Sequence, residues 1–401
     1  MANKSLFKRL RGRLAPAANA VNEAGGVAYS LSNEQKLAQY ASTGCLNGTF
    51  YATAEMQLSV VLQLCDKVQP EFIAQTALFA RQRGLMKDMP ALLCAVLSVK
   101  SPGLLAEVFD RVIDSPKMLR NFVQVMRSGV VGRRSLGTLP KRLISQWIAG
   151  RSDEQLFVGS IGNAPSLADI LKMVHPKPLT PTRAALFGYL IGREHNAELL
   201  PELVRAYEQF KRNTNPGKVP VPNVPFQMLT SLPLTQFDWR ELARNASWQT
   251  TRMNLNTFER HGVFDDAEVT AVIANRLRNP RLVAESQVFP YQLLAAYANV
   301  SSKVPTSVRE ALQDAMELAM KNVPRVTGKV YVFPDVSGSM HSPITGHRVG
   351  ATSAVRCIDV AALVAAAVLR QNPEAEVLRV SARSGEGVDA WRGRLLGLAA
   401  G

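Results

Sequence analysis

The amino-acid sequence predicts a mainly α-helical chain of stacked amphipathic helices followed by a partial α/β segment. Two observations carry this. From about Leu31 to Met320 apolar residues recur at helical spacing between short polar breaks, with little strict alternation. After Pro324 the pattern changes to a strand-like run, Val330-Tyr331-Val332-Phe333, then a Ser/Gly loop, an alanine-rich helix from about Thr352 to Arg370 and a second short strand near Glu376 to Val380. Strand, helix, strand is the order of an α/β unit, not of a helical solenoid.

The helical part is legible element by element. Leu104, Leu105, Val108, Phe109 and Val112 fall on one helical face. Ser115 then Pro116 restart a helix carrying Leu119, Phe122, Val125 and Met126, which makes a helical hairpin. Ser152 with Gln155, Asp238 with Glu241, and Asp265 with Glu268 have the spacing of reciprocal caps and mark expected helix starts. Leu199, Leu200, Leu203, Val204, Tyr207 and Phe210 form another stripe. Helices of this kind cannot bury their apolar faces alone and so are expected to stack, although no strict repeat period is visible. The proline- and asparagine-rich stretch from Asn213 to Pro233 breaks the helical pattern and predicts a long ordered loop or a functional crossing.

Composition bounds the function. With 401 residues, 47% hydrophobic and 20% charged, most of the chain should fold, with length enough for two cores. Lysine and arginine total 47 against 32 acids, a net charge of +15, which attracts polyanions: RNA, DNA or an anionic membrane surface. No apolar run reaches the roughly 20 residues of a bilayer span. Residues 1–20 form a basic arm (Lys4, Lys8, Arg9, Arg11, Arg13) with no following apolar stretch, so they read as a solvated arm or an RNA contact, not as a secretory signal. Cys45, Cys65, Cys94 and Cys357 lack CxxC spacing, which argues against a zinc site or disulfide framework and fits a reducing cytoplasm.

Asp335-Val336-Ser337-Gly338-Ser339 directly follows the first strand. One carboxylate and two hydroxyls on a tight turn offer hard oxygen ligands to a divalent cation such as Mg²⁺. This DxSxS run is similar to the metal-ion-dependent adhesion site of von Willebrand A domains, and Asp335, Ser337 and Ser339 are the candidate ligands. About seventy residues follow Gly328, so a partial domain over 325–380 is expected, without the later loops that complete such a site. A turn that binds no metal is the other reading.

Upstream, the chain resembles the TROVE module of bacterial Ro-like ribonucleoproteins (Rsr type). The resemblance rests on Asn22-Glu23-Ala24-Gly25-Gly26 with Ala28-Tyr29, Gly44 to Tyr51, His175-Pro176-Lys177-Pro178, and Met253-Asn254-Leu255-Asn256-Thr257 followed by His261-Gly262-Val263-Phe264. It spans roughly Val21 to Met320, and the whole stretch 21–324 is taken as the helical-repeat module. The order TROVE then von Willebrand A also matches. The resemblance implies a ring of HEAT-like repeats binding small noncoding Y-like RNA on its outer surface and single-stranded ends of misfolded RNA in its hole. It also implies an exoribonuclease as a partner in RNA quality control, and a soluble, non-enzymatic, monomeric scaffold.

The charge map is compatible. From Arg127 to Arg151 the chain carries Arg127, Arg133, Arg134, Lys141, Arg142 and Arg151 and no acid, a concentration suited to phosphate neutralisation. His175, with Lys172 and Lys177, matches a family position associated with Y RNA; a helix-end cap is the alternative. Family members carry cations on the preceding helix, whereas Leu156 to Gly162 is uncharged, which shifts the expected outer site toward Arg133, Arg134, Lys141 and Arg142. Arg252, Asn254, Asn256, Arg260 and His261 offer cations and amides able to meet bases and phosphates of a single strand; interhelical polar packing is the alternative. With 7% aromatics and no aromatic platform, binding should rest on charge and shape.

The tail, 381–401, is similar to the base-recognition loop and closing helix of P-loop GTPases, yet the chain has no GxxxxGK[ST] loop; a fusion or frameshift near Leu378 is expected, with Gly385 and Gly387 as turn residues. No nucleophile–base pairing stands out. Acids beside the basic clusters are too sparse for a metal-dependent nuclease, Asp265-Asp266 reading better as a helix cap. The alternative to RNA binding is a protein-interaction scaffold that grips an acidic peptide through a metal at the DxSxS turn.

Overall fold

The computed structural model describes residues 19–21, 27–44, 46, 53–162, 164–213, 215, 217–323, 325–344, 354–381 and 384–398. The cations of the basic arm, the run from Asn22 to Gly26, Cys45, Asn47 to Tyr51, Thr352, Ala382 and Arg383 lie outside the described residues. The chain divides into two compact units, one of Leu31–Leu234 and one of Thr235–Gly401 together with Met1–Ser30. The division falls at the end of the proline-rich stretch.

The first unit runs α1 (Asn33–Thr43), α2 (Ala54–Lys67), α3 (Pro70–Gln82), α4 (Asp88–Lys100), α5 (Pro102–Val112), α6 (Pro116–Ser128), α7 (Thr138–Ala149), α8 (Asp153–Val158), α9 (Leu167–Val174), α10 (Pro181–Ile191), α11 (Glu202–Arg212) and α12 (Phe226–Leu229). α3 packs on α4 and α5, α4 on α5 and α6, and α5 on α7, so a helix meets both its successor and the one after, as in stacked hairpins. α4 is the centre: Met89 to Ser98 are all buried, the mark of a helix apolar on every side. Phe109 and Phe122 meet edge to face at 5.2 Å in the core of the expected hairpin. Truncating Phe122 to alanine should cost about 3–5 kcal/mol.

Helix starts follow local chemistry. Ser115 caps α6 and Ser152 with Gln155 forms a full capping box, as the spacing predicts. Two expected starts are shifted. Thr235, not Asp238, caps the helix Gln236–Asn245, and Asp238 is the N3 partner that reaches back to the Thr235 amide at 2.9 Å. Asp266, not Asp265, caps the helix Ala267–Leu277 through the Glu268 and Val269 amides, while Glu268 turns to Arg244 at 2.6 Å.

The second unit holds the antiparallel pair β1 (Ala20–Val21) and β2 (Val27–Ala28), then α13 (Gln236–Asn245), α14 (Trp248–Met253), α15 (Leu255–Arg260), α16 (Ala267–Leu277), α17 (Pro280–Glu285), α18 (Pro290–Asn299) and α19 (Thr306–Ala319). α19 packs on α16, α17 and α18. After it come β3 (Tyr331–Val332), α20 (Cys357–Gln371), β4 (Glu376–Val377) and α21 (Val388–Leu398). β3 and β4 pair in parallel, Tyr331 with Glu376 and Val332 with Val377, and a further bridge joins Asp335 to Val380. The strand, helix, strand order read from the sequence is thus present, with the helix starting at Cys357. The tail packs back on the same unit: Trp391 stands edge-on to Phe333, and Arg394 pairs with Glu376 at 2.7 Å. Gly387, at φ +71°, lies so close to the Arg379 carbonyl that no side chain is tolerated there.

Long-range hydrogen bonds reveal a periodicity that residue types hide. Trp147 Nε1 donates to the Ile113 carbonyl, 34 positions away, and Trp248 Nε1 to that of Leu277 at 3.0 Å, 29 positions away. Arg183 donates to the carbonyls of Ile148 (3.2 Å) and Arg151 (2.6 Å) and pairs with Asp153. In the other unit Arg276 does the same to Ala243 (2.7 Å) and Arg244, and to Thr251 Oγ1 at 2.9 Å. In both places a guanidinium satisfies orphan carbonyls at the end of the preceding hairpin's helix. Spacings near 30–45 are those of helical-hairpin repeats.

Candidate nucleic-acid interface

The cationic stretch from Arg127 to Arg151 divides in two by what its side chains do. Gly129, at φ +86°, ends α6, and the Arg134 side chain lies directly over it. Arg133 donates from Nε to the Ser135 carbonyl and from Nη2 to that of Leu136, both at 3.1 Å, so it staples its own loop. Gly137 beside it is at φ +74°, in the left-handed region that favours glycine. Lys141 and Arg142, in the first turns of α7, are exposed, and among the described residues their side chains meet no hydrogen-bond or ion-pair partner.

Lys172, His175 and Lys177 sit at the end of α9. Ser166 and Asp169 close a capping box at its start, where bonds from the Ser166 side chain and backbone hold the Asp169 carboxyl below its ordinary range. His175 is the residue that ends the helix, in the left-handed conformation at φ +51°, which leaves its ring exposed. Among the described residues neither Lys172 nor Lys177 has an ion-pair partner. α9 packs on both α6 and α7, and Arg127 Nη1 contacts Met173 Sδ at 3.2 Å. Lys177 further shares a shallow cleft with Ser145, Gln146 and Ala149 of α7. Two cationic segments about forty residues apart in sequence therefore belong to one packed group of helices.

The stretch around Arg252 is different. Arg252 Nη1 donates to the Gln292 carbonyl at 2.9 Å, tying α14 to α18, and burial pulls its pKa down. Asn254 Nδ2 donates to the Thr250 carbonyl at 2.8 Å. Asn256 holds both sides of the α18 exit, donating to the Asn299 carbonyl and accepting from the Ser301 amide, each at 2.8 Å. Arg260 is exposed and folds back on Asn256 and Thr257 of its own helix. His261 is exposed on one side and stacked on Trp239 on the other, with ring centroids 4.0 Å apart. The amides and Arg252 thus meet the protein's own backbone; Arg260 and His261 keep faces open to solvent.

Asp335 lies at the C-terminal end of β3, where open α/β sheets place their sites. Its Oδ1 accepts from the Ser337 amide at 2.8 Å and from the Ser337 hydroxyl, so the turn closes on itself. Ser337 Oγ also lies 3.4 Å from Ser381 Oγ. The oxygen types at Asp335, Ser337 and Ser339 suit Mg²⁺, but among the described residues no group of three or more His, Cys, Asp or Glu side chains is placed to hold a metal ion. A single carboxylate is an incomplete donor set for such an ion.

Sequence reasoning did not single out the clamps Arg183 and Arg276, nor a cleft formed by α10, α11 and the turn between them. The only trace of that cleft is the spacing of Arg205, Gln209 and Arg212, one face of α11. Among the described residues no helix is long and apolar enough to cross a membrane.

No protein-family model matches the chain. It is similar to a curated relative, "RNA-binding protein RO60" of Deinococcus radiodurans, at 27% identity over 364 residues, covering 80% of this chain. The chain spans 65% of that relative's length. The crystal structure of the Deinococcus radiodurans Ro (Rsr) protein matches with a TM-score of 0.63 at 17% identity, over 87% of this chain and 75% of that one, so the two share a fold. Both comparisons fall on Ro proteins of one bacterium, which bears out the resemblance to bacterial Ro-like proteins read from the sequence.

Proposed function

We propose that this chain is a non-catalytic RNA-binding protein whose outer contact surface is the α6–α7–α9 group. The observation that carries the reading is a set of cations without an ion-pair partner among the described residues: Lys141, Arg142 and Lys172 stand exposed on packed helices, and Lys177, with His175, stands exposed just past the end of α9. Phosphates are the complementary partner for such a display. The similarity to a protein named as RNA-binding supports the same class of ligand. The finer reading is a small structured, Y-like noncoding RNA on this surface, with misfolded or single-stranded ends bound elsewhere on the chain. An exoribonuclease would then receive such RNA, in the cytoplasm, from a monomeric carrier.

The test is a gel shift with a stem–loop transcript at several salt concentrations, comparing the natural chain with a Lys141→Ala/Arg142→Ala/Lys172→Ala/Lys177→Ala variant. Binding should weaken and the log–log salt slope should flatten by about 0.9 for each phosphate that is no longer neutralised. An unchanged slope would remove this surface from the site. EDTA should leave RNA binding unaltered, whereas a metal-bridged protein scaffold built on Asp335 would lose its acidic-peptide partner on chelation.

A further inference from the structure

A second polar cleft lies beside this surface but uses none of its residues. It has a volume of about 550 Å³, and its wall is formed by Tyr189 of α10, His195 of the following turn, and Arg205, Glu208, Gln209 and Arg212 of α11, with Leu200 and Val219 as apolar floor. Arg205, Gln209 and Arg212 are spaced i, i+4, i+7, so they share a face, and the two arginines lie about 10 Å apart along the helix. Among the described residues the side chains of Arg205 and Gln209 meet no hydrogen-bond or ion-pair partner, and Arg212 is 81% exposed.

The one acid in the cleft is neutralised from within. Glu208 Oε1 accepts from the Tyr189 hydroxyl at 2.6 Å and from Lys211 Nζ at 3.3 Å, and Oε2 lies 3.6 Å from Arg212 Nη2. Burial alone would raise the Glu208 pKa, but these donors outweigh it and hold the carboxyl below its ordinary range. The cleft therefore keeps a cationic rim. Its back is an aromatic corner: the Tyr189 and His195 rings meet edge to face, centroids 5.6 Å apart at 89°. Gly188 makes the corner possible, because a Cβ there would stand 2.9 Å from the His195 Cβ. His195 Nδ1 lies 2.8 Å from the Arg193 carbonyl, which can only accept, so that nitrogen donates and Nε2 is left facing away from this bond.

We propose that this cleft is a subsite for a single-stranded RNA segment, with backbone phosphate on Arg205 and Arg212, a base against the Tyr189–His195 corner, and the Gln209 amide on the base edge. The inference rests on the RNA-binding reading above and assigns a place to the unpaired strand. A planar heterocycle uses the corner, the amide and the apolar floor together; an acidic peptide would use the arginines alone. Duplex RNA keeps its bases stacked and its edges in a groove, so only an unpaired strand can insert one.

The experiment uses the full chain, a fluorescent oligouridine carrying one 4-thiouridine, and a blunt stem–loop, with anisotropy read at several salt concentrations. Arg205→Ala/Arg212→Ala should weaken oligouridine binding about tenfold and flatten its salt slope by about 1.4, two phosphates at roughly 0.7 each, while stem–loop binding stays as in the natural chain. Gln209→Ala should weaken oligouridine binding severalfold at an unchanged slope, and the photo-cross-link should map to the peptide containing 189–213. Should the double variant fail to fold, Arg205→Ala alone carries the same test at half the slope change. Unchanged oligouridine binding, an equal loss for both RNAs, or displacement of oligouridine by polyglutamate of equal charge overturns the subsite while leaving RNA binding itself standing. Failure of the natural chain to bind either RNA removes the RNA-binding reading and the subsite with it.

Discussion

The α6–α7–α9 group and the α14–α15 stretch carry the same chemistry and use it in opposite ways. In the first, Lys141, Arg142 and Lys172 on the helices and Lys177 just past α9 are exposed, with their charges facing water. In the second, Arg252 and Asn256 donate to backbone carbonyls of α18 and of the chain just after it, and Asn256 also accepts an amide there. What separates a solvent-facing cation from a structural one is therefore not its type or local density but whether a buried carbonyl already holds its protons. An orphan carbonyl left inside the protein costs more than a solvated lysine gains, so such carbonyls claim the nearest donors.

The contrast can be broken or sharpened by substitution. The largest effect is expected at the clamp: Arg276→Met should lower unfolding free energy by about 2–3 kcal/mol, read by urea denaturation, because three acceptors lose a charged donor at once. Its stem–loop affinity at fixed salt should not move; a matching fall in affinity would blur the line between structural and binding cations. Next comes Arg142→Ala combined with Lys141→Ala, expected to weaken stem–loop binding about tenfold, or about 1.4 kcal/mol, with unaltered stability. Arg133→Ala, nearby in sequence, should do the reverse, since its guanidinium holds Ser135 and Leu136. A flatter salt slope for Arg133→Ala would place it among the residues that neutralise phosphate.

Asn256→Ala is expected to cost about 1 kcal/mol, because the Asn299 carbonyl and the Ser301 amide it releases are near the surface and can find water. A melting temperature equal to that of the natural chain would count against the tie. The smallest effect is one of pH. Asp169 has a folded pKa below the ordinary 3.8, so the stability from its capping box is fully present above that value and is lost as pH falls through the lowered one. Circular dichroism should show α9 fraying in acid, and Asp169→Asn should remove that pH dependence; an unchanged acid transition would show that the box does not hold the helix.

The sequence carries some of this organisation openly. Ser115-Pro116 and the Ser152–Gln155 pair mark helix starts because the capping side chain and its amide are neighbours in the chain. Asp238 and Asp265 mislead by a few positions, because Thr235 and Asp266 stand close by with equally good oxygens, and only the packed helix decides between them. The parallel strands around α20 are legible because a β-rich run and an alanine-rich run differ in period. The repeat period is not legible, for a physical reason: the ties from Arg183, Arg276, Trp147 and Trp248 end on backbone carbonyls, which every residue possesses. The α10–α11 cleft is hidden likewise, since Tyr189 and Glu208 are 19 positions apart and meet only when the helices fold together.

The spacing of those ties has a dynamic consequence. Each one fastens a hairpin to its immediate neighbour and to nothing more distant, so loosening is transmitted stepwise instead of all at once. A chain fastened this way opens in patches: amide hydrogens shielded by one arginine exchange together when that arginine lets go, while those two hairpins away stay protected. Within each unit, a stack fastened this way can yield at one place and keep its register in the rest of that unit.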